Sequence, residues 1–230
     1  MCRPRKPWTS TIHSLLQHLN AEGLPVPEPL GVDEHVEYVR LVPGDGGDQA
    51  WAHQITLDAV ASAGALLRRV HDATVTWEPP SWAVWAIPAE GRAVICHGDP
   101  QPGNLAWRAG VAVGIFDWDV ARPAERVSDI AYALEWFAPF VSDPAVLQHR
   151  GLPHDVDRRA RIDALLDGYG WRGTISVVDE VLRRQRRAID EVVWLGAAGH
   201  EPQASWVADG WPERWSTKLL VTESLRAFVN

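Results

Sequence analysis

The chain has 230 residues, 46% hydrophobic and 23% charged, enough to bury a sizeable core in one large domain or two unequal lobes. No run approaches the ~18 apolar residues of a membrane helix, and the basic start from Met1 to Trp8 has no apolar stretch behind it, so no secretory signal is expected and the default compartment is cytoplasmic. A net charge of −8 argues against a nucleic-acid partner and suits a cationic substrate, and two cysteines, Cys2 and Cys96, are too few for a disulfide framework or a zinc cluster.

Taken in order, Thr9, Ser10 and Thr11 offer caps for a helix in which Ile12, Leu15, Leu16 and Leu19 recur at helical spacing, with Gly23 as its stop. Pro25, Pro27 and Pro29 then force an extended segment. Val36 to Val42 reads as a strand, closed by Pro43-Gly44-Asp45-Gly46-Gly47, the best linker in the chain. Beyond it, Trp51, Ile55, Val60, Leu66, Leu67 and Val70 predict a long buried helix from Trp51 to about His71. A loop rich in Trp and Pro, Trp77 to Trp85, leads into three short strands: Ala93 to Cys96, Asn104 to Trp107 and Ala112 to Phe116. Helices are expected over Arg126 to Phe140, Val156 to Tyr169, Ile175 to Ala198 and Glu213 to Phe228, with Arg183-Arg184-Gln185-Arg186-Arg187 on a solvated face. Few, grouped strands followed by helices indicate α+β architecture.

The chemistry concentrates in Val94-Ile95-Cys96-His97-Gly98-Asp99-Pro100-Gln101-Pro102-Gly103-Asn104-Leu105 and Gly114-Ile115-Phe116-Asp117-Trp118-Asp119. A buried strand delivers Asp99 into a loop kept tight by Gly98, Pro100, Pro102 and Gly103, and Asn104 adds an amide oxygen at the loop's exit. Asp117 stands at the end of the next apolar strand but one. Two carboxylates and an amide oxygen from loop ends make a hard-oxygen site suited to Mg²⁺, which binds through one or two carboxylates plus phosphate oxygens. The spare carboxylate, Asp99, is free to accept a proton from an attacking hydroxyl, the division of labour phosphoryl transfer requires. Metal-dependent hydrolysis is a poor alternative, because no second histidine stands at ligand spacing near His97.

This arrangement, His-Gly-Asp, four residues, Asn, then an apolar strand into Asp-Trp, resembles the catalytic signature of the aminoglycoside phosphotransferase family of the protein-kinase-like fold. The resemblance implies Asp99 as catalytic base, His97 as the catalytic-loop histidine that braces it, and Asn104 and Asp117 as Mg²⁺ ligands. Asp129 matches the acid that ties a helix to the catalytic loop in kinase-like folds, and Asp119 is expected in a structural or solvated role. ATP would be the phosphoryl donor, with Val39, Leu41 and Val42 giving adenine contacts and Arg3 standing in for the basic residue of the phosphate-facing strand. A small hydroxylated molecule would be the acceptor.

The chain departs from the family pattern at its start, where relatives carry a glycine-rich hairpin and a longer strand for the basic residue. The expected organisation is a truncated small lobe over 1–43, with a helix, one or two strands and a hinge, followed by a mostly helical lobe over 44–230. The helix from Thr11 to Asn20 offers no interior acid to pair with the basic residue. Two functions therefore stand side by side: an ATP-dependent phosphotransferase acting on a hydroxyl, and a catalytically weak or inactive pseudokinase-like binding module. Oligomeric state is not legible.

Overall fold

A computed structural model describes residues 1–229 and shows the expected α+β architecture. Three short strands, β1 (Cys2–Pro4), β2 (Glu28–Val32) and β3 (Val36–Arg40), form an antiparallel sheet in the order β1-β3-β2. The proline-rich stretch becomes β2, as its restricted backbone requires. Against this sheet packs α1 (Thr9–Ala21), whose Ile12, Leu15, Leu16 and Leu19 are all buried. Each such leucine contributes about 1.5–3 kcal/mol by leaving water. The Thr9 hydroxyl accepts from the Lys6 N–H at 2.9 Å and fixes the entry of the chain into the helix.

The helix α2 (Leu57–Thr74) starts later than its apolar spacing suggests. Thr56 caps it, accepting the Ala59 N–H at 3.1 Å, and Gly47–Ala52 forms a separate 3-10 turn. The cause lies in the linker. Asp45 exchanges backbone hydrogen bonds of 2.9 and 2.8 Å with Trp107, so the glycine-rich segment is stitched to a distant strand and Trp51 is held outside the helix. Trp51 sits instead against Trp136, with ring centroids 5.8 Å apart.

Two antiparallel pairs follow: β4 (Val94–Cys96) with β7 (Arg122–Ala124), and the hairpin β5 (Leu105–Arg108) with β6 (Val111–Ile115). The helices α3 (Arg126–Phe137), α4 (Pro144–His149), α5 (Arg158–Tyr169), α6 (Val177–Ala197), α7 (Gln203–Ala208), α8 (Trp211–Ser224) and α9 (Arg226–Val229) complete the fold. The strand β7 escapes sequence reading because arginine and proline fill two of its three positions. Both α4 and α7 are six residues long, too short to display a period. No helix among the described residues is long and apolar enough to cross a membrane.

One hydrophobic core joins α1, α2, α3, α5 and α6. It depends on a close crossing of α2 and α5 at two glycines. A Cβ at Gly64 would stand 2.3 Å from the Leu165 carbonyl oxygen, and one at Gly168 would stand 2.0 Å from that of Ala61. Neither position has room for a side chain.

Candidate active site

The loop after β4 is held from behind by buried charge. Asp129, in the first turn of α3 and fully buried, accepts the backbone N–H groups of His97 at 2.7 Å and Gly98 at 2.9 Å and lies 3.1 Å from His71 Nε2. Burial alone would raise its pKa, but the His71 hydrogen bond, the nearby imidazoles and the Gly98 N–H outweigh that and hold it below the usual carboxylate range. Gly98 has φ +89°, and a Cβ there would meet the Val120 carbonyl oxygen at 2.5 Å, so only glycine serves. Its own carbonyl accepts from Arg184 Nη2 at 2.8 Å.

His97 is sealed from solvent and both ring nitrogens are used. Nε2 lies 2.9 Å from the Phe116 carbonyl oxygen, which can only accept, so Nε2 carries the hydrogen. The other nitrogen, Nδ1, accepts the Asp99 N–H at 3.3 Å. Burial depresses the imidazole pKa, in keeping with this neutral tautomer. A ring engaged at both ends shuttles no proton; His97 ties the residue before Asp117 to the backbone of Asp99. Cys96 beside it is buried with its thiol pKa pushed well up by desolvation, an inert core residue as its apolar setting suggests.

Asn104 touches Asp99 directly, and the charge of Asp117 is felt at Asp99. Asn104 Nδ2 donates to Asp99 Oδ2 at 2.8 Å and to the Asp99 carbonyl at 2.9 Å. That leaves the Asn104 amide oxygen, among the described residues, without a protein donor. The Phe116 N–H donates to the Asn104 carbonyl at 2.9 Å, which sets Asp117 one residue from that pairing. Asp117 adopts φ +67°, an uncommon conformation for a residue with a side chain, and presents a carboxylate that is about half exposed. At Asp99, Oδ2 also receives Gln101 Nε2 at 3.3 Å, whereas Oδ1 is buried and takes no hydrogen bond. Burial raises the Asp99 pKa; the neighbouring Tyr132 hydroxyl and His97 counter it, and the charge of Asp117 adds to it.

Above this floor, Arg3 on β1 reaches three carboxylates: Glu37 Oε1 at 2.5 Å, Asp119 Oδ1 at 2.8 Å and Asp117 Oδ1 at 3.5 Å. Burial would lower the guanidinium pKa, and these acids more than offset it. The acid missing from the helix is therefore supplied by a strand. Glu37 stands opposite Arg3 in the β1–β3 register, and its second oxygen lies 2.7 Å from Nε2 of His13 on α1. Asp119 is an ion-pair partner of Arg3.

The hinge residues separate. Val39 is buried, its N–H donates to the Met1 carbonyl at 3.0 Å, and its carbonyl accepts from the Met1 amino group at 2.9 Å. With both backbone groups spent on the sheet, Val39 has none left for an adenine, which corrects the expectation for that residue. Leu41 is exposed and Val42 is half-buried against Gly114, both past the end of β3.

The arginine run on α6 also departs from expectation. Arg183 is exposed, but Arg184 and Gln185 are buried. Besides bonding Gly98, Arg184 pairs with Glu191 at 3.0 Å and lies 4.6 Å from the centre of the Tyr132 ring. Glu37, Arg184 and Tyr132 are the functional-region residues that sequence reading misses.

Residues 9–84 and 82–165 match the Phosphotransferase enzyme family. A trifolitoxin immunity protein from Rhizobium leguminosarum bv. trifolii is 34% identical over 174 residues, 71% of this chain; the chain spans 65% of that relative's length. Among solved structures, an aminoglycoside-3'-phosphotransferase of type VIII aligns with TM-score 0.53 at 20% identity over 83% of each chain. Spectinomycin phosphotransferase with ADP and spectinomycin aligns with TM-score 0.56 at 12% identity, over 93% of this chain and 82% of its own. A microcompartment-associated aminopropanol kinase aligns with TM-score 0.58 at 13% identity, over 97% and 81%. At these identities the solved structures show a shared fold, while the match over 9–165, most of the chain, shows kinship: this protein belongs to the Phosphotransferase enzyme family.

Proposed function

We propose that the chain transfers the γ-phosphoryl group of ATP to a hydroxyl of a small molecule, with Asp99 as the base. The observation that carries this reading is the split use of Asn104: its amide nitrogen orients the Asp99 carboxylate, while its amide oxygen takes no hydrogen bond among the described residues and is left for a cation. Such a donor set fits Mg²⁺, which Asn104 and Asp117 would hold. When bound, the ion supplies charge neutralisation on the phosphates.

In the reaction, the acceptor hydroxyl oxygen forms a bond to the γ-phosphorus as the bond from that phosphorus to the β–γ bridging oxygen breaks. ADP leaves with that electron pair, and the hydroxyl proton goes to Asp99. Burial, by raising the Asp99 pKa, makes the carboxylate a better acceptor than a solvated one. Asn104 and Gln101 hydrogen-bond one carboxylate oxygen, and the Tyr132 hydroxyl neighbours the group. His97 and Asp129 fix the loop and do not touch the reacting atoms. Arg3 faces the phosphates, aimed by Glu37, and Leu41 and Val42 line the adenine end. A protective role against a toxin is supported by the relative named as a trifolitoxin immunity protein.

Thermal-shift titration with ATP and Mg²⁺, followed by a phosphotransfer screen of hydroxylated amino sugars and amino alcohols read by phosphorus NMR, tests the proposal. Asp99→Ala should keep the Mg²⁺-dependent stabilisation and lose about 10²–10⁴-fold in rate. Asn104→Ala with Asp117→Ala should lose the Mg²⁺ dependence itself. Wild-type protein that gains no stability from ATP with Mg²⁺ would instead be a binding module without nucleotide chemistry.

A further inference from the structure

On the Tyr132 side of Asp99 lies a pocket of about 90 Å³ whose lining includes Tyr132, Glu135, Trp136, Gln185, Trp215 and Lys218. Its walls come from α3, α6 and α8, three elements remote in sequence, and three of its eight lining side chains are aromatic. At its base stands an unanswered donor. Gln185 is only 5% exposed and its Oε1 accepts from Thr222 at 2.9 Å, while its Nε2 faces the Glu135 carboxyl without a partner at full hydrogen-bond geometry. A buried N–H left unpaired costs about 1–3 kcal/mol, which a ligand acceptor would recover. At the mouth, Lys218, one of the two lysines of the chain, holds its ammonium 5.7 Å from the centre of the Trp215 ring and forms no salt bridge among the described residues.

The charge around this pocket is not that of a cation trap. Its one carboxyl group, Glu135, is pushed above its ordinary pKa by burial, and Lys218, Arg184 and Arg150 stand around it. Arg150 is itself stacked 4.5 Å from the Trp136 ring centre. A polycationic ligand entering this pocket would meet these groups. The overall negative charge of the chain is distributed elsewhere.

Resting on the reading of Asp99 as the phosphorylation base, we propose that this pocket is the acceptor subsite and that it takes a neutral or anionic hydroxyl compound carrying a flat aromatic or heteroaromatic group and a carbonyl or carboxylate acceptor. The ring lies among Trp136, Trp215 and Tyr132, where stacking contributes beyond area alone. The acceptor group meets Gln185 Nε2 and Lys218. Tyr132, wedged between the pocket and Asp99 and packed under Arg184, directs the hydroxyl toward the carboxylate.

The test uses three probes of one shape on the full-length protein, titrated by calorimetry and ligand-observed NMR: 4-(2-hydroxyethyl)benzoate, the matching benzamide and the matching benzylamine. The benzoate should bind tightest and the benzylamine at least about tenfold more weakly. Lys218→Met, at an exposed position, should weaken the benzoate about tenfold and leave the benzamide within about twofold. Gln185→Leu should weaken both. An ammonium probe binding as well as the carboxylate, no measurable binding of any probe, or affinities indifferent to both variants would each overturn the assignment. Stabilisation by ATP and Mg²⁺, followed on the same samples, reports separately on the phosphotransferase reading. Probe binding without it would retain the subsite and remove the chemistry.

Discussion

Replacing Asp129 with asparagine keeps the shape of the side chain and removes only its charge and one acceptor. In the native protein, three donors converge on the two carboxylate oxygens: His97 N–H and His71 Nε2 at one, Gly98 N–H at the other. Asparagine can answer the first two with its carbonyl oxygen, but its amide nitrogen then faces the Gly98 N–H, donor against donor. The lost bond and the stranded N–H cost ~1–3 kcal/mol, and weakening two charge-assisted bonds to neutral ones adds about 1 kcal/mol each. The sum is ~3–5 kcal/mol, a fall in Tm of about 6–20 °C for a chain of this size. Differential scanning calorimetry at neutral pH measures it.

The sign of the pH dependence gives a second check. A carboxyl whose folded pKa lies below its unfolded value of about 3.8 contributes its stability above that pH and loses it as pH falls through the folded pKa. The gap between native and Asp129→Asn proteins should therefore hold constant through the neutral range and narrow only below that value. A Tm within about 2 °C of the native protein would refute the reasoning, because the loop would then be held by something other than this carboxylate.

Three further outcomes follow from the same geometry. The rate of phosphotransfer should fall as pH drops through the raised pKa of Asp99, since only the ionised base works; a pH–kcat profile with no acid limb would remove Asp99 from that role. Glu37→Gln should raise the KM for ATP with Mg²⁺ roughly tenfold by loosening the aim of Arg3, an effect of one charged hydrogen bond. An unchanged KM would mean that Asp119 alone positions Arg3. Gly64→Ala should destabilise the fold by about 1–3 kcal/mol or more, as the added methyl meets the Leu165 carbonyl at 2.3 Å and α2 and α5 must part; urea denaturation with an unchanged midpoint would contradict that crossing.

What the sequence discloses about this site depends on how far apart the cooperating residues lie along the chain. Asp99, Asn104 and Asp117 fall within nineteen positions on a loop and a hairpin, so their spacing alone announces a shared oxygen-rich face. Glu37 is more than sixty residues from any of them, yet it leaves a trace: in β3 it shares the buried face with Val39, where an acid needs a cation opposite. Arg184 leaves a clearer one. Val177, Val181, Arg184, Ala188, Glu191 and Leu195 follow one helical stripe, and the arginine run hides the fact that one of its members lies on the apolar side.

An arginine on such a stripe, with a glutamate seven residues later on the same face, predicts a buried ion pair from sequence alone, and a buried ion pair is rarely retained for stability. Here it supports the Gly98 carbonyl and the Tyr132 ring, beside the base on one side and the proposed acceptor pocket on the other. Glu37, Arg184 and Asp129 each break the local rule that buried positions are apolar: Asp129 and Arg184 hold the backbone that leads into Asp99, and Glu37 holds the arginine that reaches Asp117. That three buried charges from separate elements act on one loop and the hairpin beside it is itself an argument for function.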